Sequence, residues 1–205
     1  MMMNIIEEQY LKVRTAAYQK EKQGCTVCGD AYYMVETDDY FLLALADGLG
    51  SGEMAKRSSR AAMHTIEHLN ESAAIEEVFS ACNQALFNER GVVMTLLKID
   101  YRTRKIFYGN VGNVECYLNI DNERCYHPIT SYGFISGRRV SPKVDHYHFD
   151  SEMSFVLYTD GARCQGMKEN FVRHAHSPKV FLEKMVENDT SGKDDYTIIT
   201  GHINK

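Results

Sequence analysis

Apolar and polar positions change period several times along this chain. Residues 8–19 are expected to form a strand. AYYMVET (31–37) and YFLLALA (40–46) are apolar runs separated by Asp38 and Asp39, the pattern of a hairpin. From Ser51 or Gly52 the period shifts to three and four. Ala55, Ala62, Met63, Ile66 and Leu69 share one face of a helix through Asn70, and Ile75, Val78, Phe79, Cys82 and Leu86 mark a second helix. After Gly91 the pattern returns to strands at VVMTLLKID, KIFYGNV, NVECYLNI, VDHYHF and MSFVLYT, bounded by turn residues such as Gly109, Gly112 and Asn113. A helix follows at about 178–188, with Pro178 near its first turn, and YTIITGHI closes the pattern as an apolar strand. The helices are grouped rather than alternating with every strand. That predicts a layered α+β fold, not a doubly wound parallel sheet.

Composition narrows the class. A chain of 205 residues is expected to be one domain with a sizeable core. Its 44% hydrophobic and 25% charged residues are ordinary for a soluble protein. The net charge of −5 argues against non-specific nucleic-acid binding, which needs a clustered basic surface. MMMNIIEEQYLK lacks the apolar core of a secretory signal, and no stretch approaches the roughly 20 apolar residues that span a bilayer. The expected compartment is the cytoplasm, with no membrane partner. The six cysteines, at 25, 28, 82, 116, 125 and 164, contain one CxxC and no second pair, and CTVCGD leads into a strand rather than a helix. They are read as reduced, structural thiols.

The candidate chemistry lies in acids that abut apolar runs. CGDAYY puts Asp30 before a strand, FLLALADGLGSG puts Asp47 after one, SFVLYTDGA puts Asp160 after another, and SGKDDYTIIT puts Asp194 and Asp195 before the last. A single Asp-Gly after a strand is usually a turn, and Asp38–Asp39 is read as one. Several ionised carboxylates buried together are costly unless a cation compensates them. If these strand ends converge, hard divalent cations with oxygen ligands are the natural partner. Gly48 can then bring its carbonyl close to a metal, while Gly50 and Gly52 allow the turn into the helix. Glycines at 48, 50 and 52 do not match GxGxxG, and the Walker spacing is absent, which disfavours a nucleotide-binding oxidoreductase. His64 and His68 have the spacing of HExxH, but Thr65 stands where the general base belongs. His146, His148, His174 and His176 are read as solvated or core residues. Cys164 lacks the CxxxxxR loop of a cysteine phosphatase, since position 170 is Asn170, and is read as structural.

In GDA, ADGLGSGEMA, YTDGA and KDDYTII, in that order and at roughly that spacing, the chain resembles the PPM-type metal-dependent Ser/Thr protein phosphatases. The short DGxGxG-helix form is similar to their SpoIIE-like bacterial branch. The resemblance covers essentially the whole chain, as a single phosphatase domain over residues 1–205. It implies a four-layer αββα sandwich of two antiparallel sheets flanked by helices, with two Mn2+ or Mg2+ ions at one end. Asp47 would bridge both metals, Gly48 would offer its carbonyl, Asp160 and Asp194 would hold the first metal, and Asp30 would lie near the second. Asp195 stands beside the last ligand. Asp47 and Asp160 would act in catalysis through a metal-bound hydroxide that attacks phosphorus in line, with no phosphoenzyme.

Within this branch the short stand-alone form is most similar to phosphatases of the sigma-B stress pathway. That implies a monomer whose partners are phosphorylated STAS-domain proteins of a stress-signalling complex, acting as negative feedback. A catalytically weak phosphoprotein-binding module on the same fold is the alternative. One departure stands out. Many relatives carry a phosphate-holding arginine shortly before the first acid, whereas QGCTVCGD has none and Lys20 and Lys22 lie further back. Phosphate orientation is therefore expected to rest on the metals. The short chain also leaves no room for the flap insertion of larger relatives, so the site is expected to be open to a protein substrate.

Overall fold

The computed structural model describes residues 4–70, 72–162, 165–187 and 193–204. Its strands and helices follow in the order β1 (Ile6–Gln9), β2 (Val13–Lys20), β3 (Asp30–Glu36), β4 (Tyr40–Gly48), α1 (Glu53–Glu67) and α2 (Ile75–Ala85). Next come β5 (Val92–Asp100), β6 (Lys105–Val111), β7 (Glu115–Ile120), β8 (Arg124–Tyr126), β9 (Lys143–His148) and β10 (Met153–Tyr158). The chain continues through α3 (Met167–His174), α4 (Pro178–Glu187) and β11 (Tyr196–Ile203). One antiparallel sheet has the order β1-β2-β11-β10-β7-β8 and the other β3-β4-β5-β6-β9.

Alternation along the strands builds the layers. Odd positions of β4 (Phe41, Leu43, Leu45) face Phe155, Leu157 and Ile199 of the other sheet in a common core, with the Phe41 and Phe155 rings stacked at 5.7 Å. Even positions of β4 (Ala44, Ala46) face outward and pack on Ala62, Met63 and Ile66 of α1 and on Val78, Phe79 and Cys82 of α2. On the other outer face, Val156 and Ile198 pack on Phe171 of α3 and on Phe181, Leu182 and Met185 of α4. Both faces of the central strands are buried, which is why these strands read as continuous apolar runs. The result is the expected αββα sandwich.

Four details differ from the pattern-based expectation. The strand expected at 8–19 is two strands, because the chain turns at Tyr10–Lys12, where the Glu36 carboxylate accepts the Leu11 and Lys12 N–H groups. β3 begins at Asp30 and β4 extends through Asp47 and Gly48, so these residues lie in the strands rather than before or after them. The three-residue β8 gives too short an alternation to detect. Helix α3 buries only Met167 and Phe171, leaving little apolar periodicity. Cys164 lies outside the described residues.

Candidate metal centre

The inner rows of both sheets turn polar at the same end. The row of β4 runs Phe41, Leu43, Leu45, Asp47, and that of β3 runs Met34, Tyr32, Asp30. In the other sheet, Met153, Phe155 and Leu157 lead to Thr159, while Ile203 and Ile199 lead to Thr197 and Asp195. The register pairs Asp30 directly with Asp47 across β3 and β4. Such pairs lie close enough for like charges to destabilise the sheet.

Asp30 is almost fully buried and bridges the two sheets. Its Oδ2 accepts hydrogen bonds from Thr159 Oγ1 (2.9 Å) and Thr197 Oγ1 (2.6 Å). The Thr197 N–H in turn donates to Thr159 Oγ1 at 3.0 Å. Gln19 Nε2 donates to the Asp30 carbonyl and to Thr197 Oγ1. The other carboxylate oxygen, Asp30 Oδ1, is buried without a hydrogen-bond partner. Burial raises the Asp30 carboxyl well above the usual range, the two threonine hydroxyls oppose that shift, and the charges of Asp195 and Asp160 add to it. Asp47 is raised as well, first by burial and then by the charges of Asp30, Asp160, Asp194 and Asp195. All the acids singled out from the sequence therefore converge electrostatically on Asp47.

The remaining acids are placed from different elements. Asp160 follows β10, and its Oδ2 accepts from Asn113 Nδ2 at 3.0 Å. Asn113 sits on a turn held by a buried network in which Thr95 Oγ1 and Asn110 Nδ2 donate to the Val114 carbonyl. Asp195 is buried, whereas Asp194, one residue further from β11, is more exposed yet still acts on Asp47 through its charge. Asp195 Oδ1 accepts the Lys22 N–H at 2.9 Å, while Asp194 is half exposed and lies 3.7 Å from Lys22 Nζ. Gly48 has a packing reason to lack a side chain, because a Cβ there would overlap the Ala55 carbonyl of α1. Gly50 and Gly52 have φ of 99° and 70°, the left-handed geometry expected for the turn into α1.

A divalent cation fits this arrangement on the structure's own terms. It would answer both the like-charged pair and the orphaned Asp30 Oδ1, and the donors are hard oxygens. Among the described residues no three acidic, histidine or cysteine side chains close into a ready-made cage. An open donor set suits an ion that keeps much of its water, as Mg2+ does.

The rival groups are engaged with one another or inert, although His64 and Cys28 line the same cavity as Asp30. His64 and His68 stack on each other at 4.3 Å, and His68 Nδ1 bonds to the His64 carbonyl. Burial pushes the Cys82 thiol up to about 12 and raises Cys28 further, which opposes thiolate chemistry. Thr159, Thr197, Asn113 and Arg90 were missed from the sequence. The threonines had a signal, since YTDG and DYTI both set Thr within two residues of an acid. Arg90 had none, because only the fold brings it to the glycine loop, where a Cβ on Gly50 would lie 2.7 Å from Arg90 Nη1. No helix among the described residues is long and apolar enough to cross a membrane.

Comparison with known proteins identifies the family and the fold. The family model for Stage II sporulation protein E (SpoIIE) matches residues 37–202. The phosphoserine phosphatase RsbX of Bacillus subtilis (strain 168) is 31% identical over 196 residues, covering 96% of this chain and 98% of its own. A crystal structure of RsbX in complex with magnesium superposes with a TM-score of 0.90 at 31% identity, over 98% of this chain and all of that one. A chain from a structural study of the bacterial stressosome shares the fold at a TM-score of 0.82 and 21% identity, over 93% of this chain and 99% of that one. So does the catalytic domain of the serine/threonine phosphatase PstP in complex with two manganese ions, at 0.69 and 15%, over 95% and 99%. The chain belongs to the SpoIIE family and is a phosphatase of the PP2C type.

Proposed function

We propose that this chain, as one phosphatase domain, hydrolyses phosphoserine or phosphothreonine on STAS-domain proteins of a stress-signalling complex, working as a monomer and as negative feedback on sigma-B. The observation that carries the hydrolytic half is the paired Asp30 and Asp47, with one buried oxygen left unbonded at the end of an apolar core. Similarity to RsbX along nearly the whole chain supports the substrate half.

In this reading Asp47, Asp30, Asp160, Asp194 and the Gly48 carbonyl hold two Mn2+ or Mg2+ ions. Bound there, such ions would lower the pKa of water and offset charge on the phosphoryl oxygens. The protein's part is positional. Thr159 and Thr197 hold one Asp30 oxygen and leave the other free to ligate. Asn113 fixes Asp160, and Lys22 lies beside Asp194. The fixed dipoles and charges avoid reorganisation as the reaction proceeds.

A protein substrate is favoured by the rim beside the centre. Ile135 bridges to Val92, which pairs with Gly48, and Ser131 bridges to Gly112, next to Asn113. This segment and the end of α2 expose Phe87, Ile129, Tyr132 and Phe134. Apolar residues in the open suit a partner with a surface better than a small polar ester.

The test is hydrolysis of an aryl phosphate and of a phosphorylated STAS-domain protein in EDTA, Mg2+ and Mn2+. Wild type should turn over both only with metal, and Asp47→Asn should lose at least about 100-fold. Full activity in Asp47→Asn would overturn the metal assignment. Stable phosphoprotein binding without turnover would favour the binding-module alternative.

A further inference from the structure

Arg90 places its guanidinium over the glycine loop that follows Asp47. β4 pairs with β5 so that Gly48 faces Val92. Beyond the strand ends the Leu49 N–H donates to the Gly91 carbonyl at 3.0 Å, which carries the same register outward and brings Arg90 opposite Gly50. There the guanidinium lies over the Gly50 α-carbon, where any side chain would displace it. The neighbouring Glu89 is already taken, since Arg57 Nε (2.9 Å) and Nη2 (2.7 Å) both donate to its Oε1. Among the described residues Arg90 has no hydrogen bond and no ion pair, and it is exposed. Its fork of donors lies over Gly50, two residues beyond Gly48 and three beyond Asp47, without a partner among the described residues.

We infer that Arg90 binds the phosphoryl oxygens of the substrate. A phosphate monoester supplies the dianion that the free fork matches, and guanidinium–phosphate pairs are directional and frequently bidentate. The glycine at position 50 gives the fork its seat and leaves its outer face open. The inference rests on the phosphatase reading above, yet it can be tested apart from turnover.

The experiment is calorimetric titration of inorganic phosphate into Mn2+-loaded protein, for wild type, Arg90→Ala and Arg90→Lys, with Mn2+ affinity measured in parallel. Loss of charge-assisted hydrogen bonds should weaken phosphate binding about 10–100-fold in Arg90→Ala. Arg90→Lys should recover part of it, since lysine offers charge without the fork. Mn2+ affinity should stay within about twofold of wild type, which a merely structural role for Arg90 would not predict. Equal phosphate affinity in wild type and Arg90→Ala, or no phosphate binding by wild type, overturns the inference. Arginine-dependent phosphate binding in a wild type that hydrolyses no ester would instead overturn the phosphatase reading and leave Arg90 as an anion site.

Discussion

Leu45 and Asp47 occupy the same row of the same strand, two residues apart, and only the second is costly to bury. Asp30 shares that cost from directly across the ladder. The threonines make the arrangement tolerable, because both hydroxyls converge on one Asp30 oxygen. Thr197→Val keeps the shape and removes one of those hydroxyls. Partners of a metal-ligating group typically contribute 10–100-fold to metal affinity, so the Mn2+ activation midpoint of Thr197→Val should rise by about that factor. An unchanged midpoint would reduce Thr197 to a core residue. The four acids were legible in the sequence because each interrupts an apolar run. That Asp195 is buried and Asp194 half exposed was not, since it depends on how the chain enters β11. Asn113 was equally hidden, because its partner lies 47 residues away.

At the scale of elements, the site depends on how α1 leaves β4. The strand ends in Gly48, the chain reverses through Gly50 and Gly52 at positive φ, and the helix crosses back over the strand it has just left. Ala55 then meets the Gly48 backbone and approaches Gly29, which explains why both strand ends carry glycine beside their aspartates. Gly48→Ala would force the helix off the sheet. Overpacking of this kind typically costs about 1–3 kcal/mol, so the melting temperature should fall by roughly 2–12 °C for a chain of this size. No change in melting temperature would mean that α1 is not seated there. The hairpin of β3 and β4, the two helices after it and the strands β5 and β6 were readable from period alone. The break between β1 and β2 was not, since a carboxylate from β3 makes that turn possible.

At the scale of the whole molecule, two sheets bring acids from four separate stretches to one end of one core. Without a cation this end is under electrostatic strain, because the acids around Asp47 carry like charge. Saturating Mn2+ at about 100 times its Kd should stabilise the protein by about 2.7 kcal/mol, raising the melting temperature by roughly 5–10 °C. Asp47→Asn should lose that increment and also melt above the wild type when both are free of metal. A wild type indifferent to Mn2+ and EDTA would contradict the shared-cation reading. The sequence by itself determined the α+β class, the principal elements and the acids with their neighbouring glycines, because period and punctuation are local properties of the chain. Only the tertiary structure decided which carboxylates face each other, which oxygen is left without a donor, and which cation reaches the glycine loop. Those relations depend on strand register and on sheet-to-sheet packing between residues far apart in the chain.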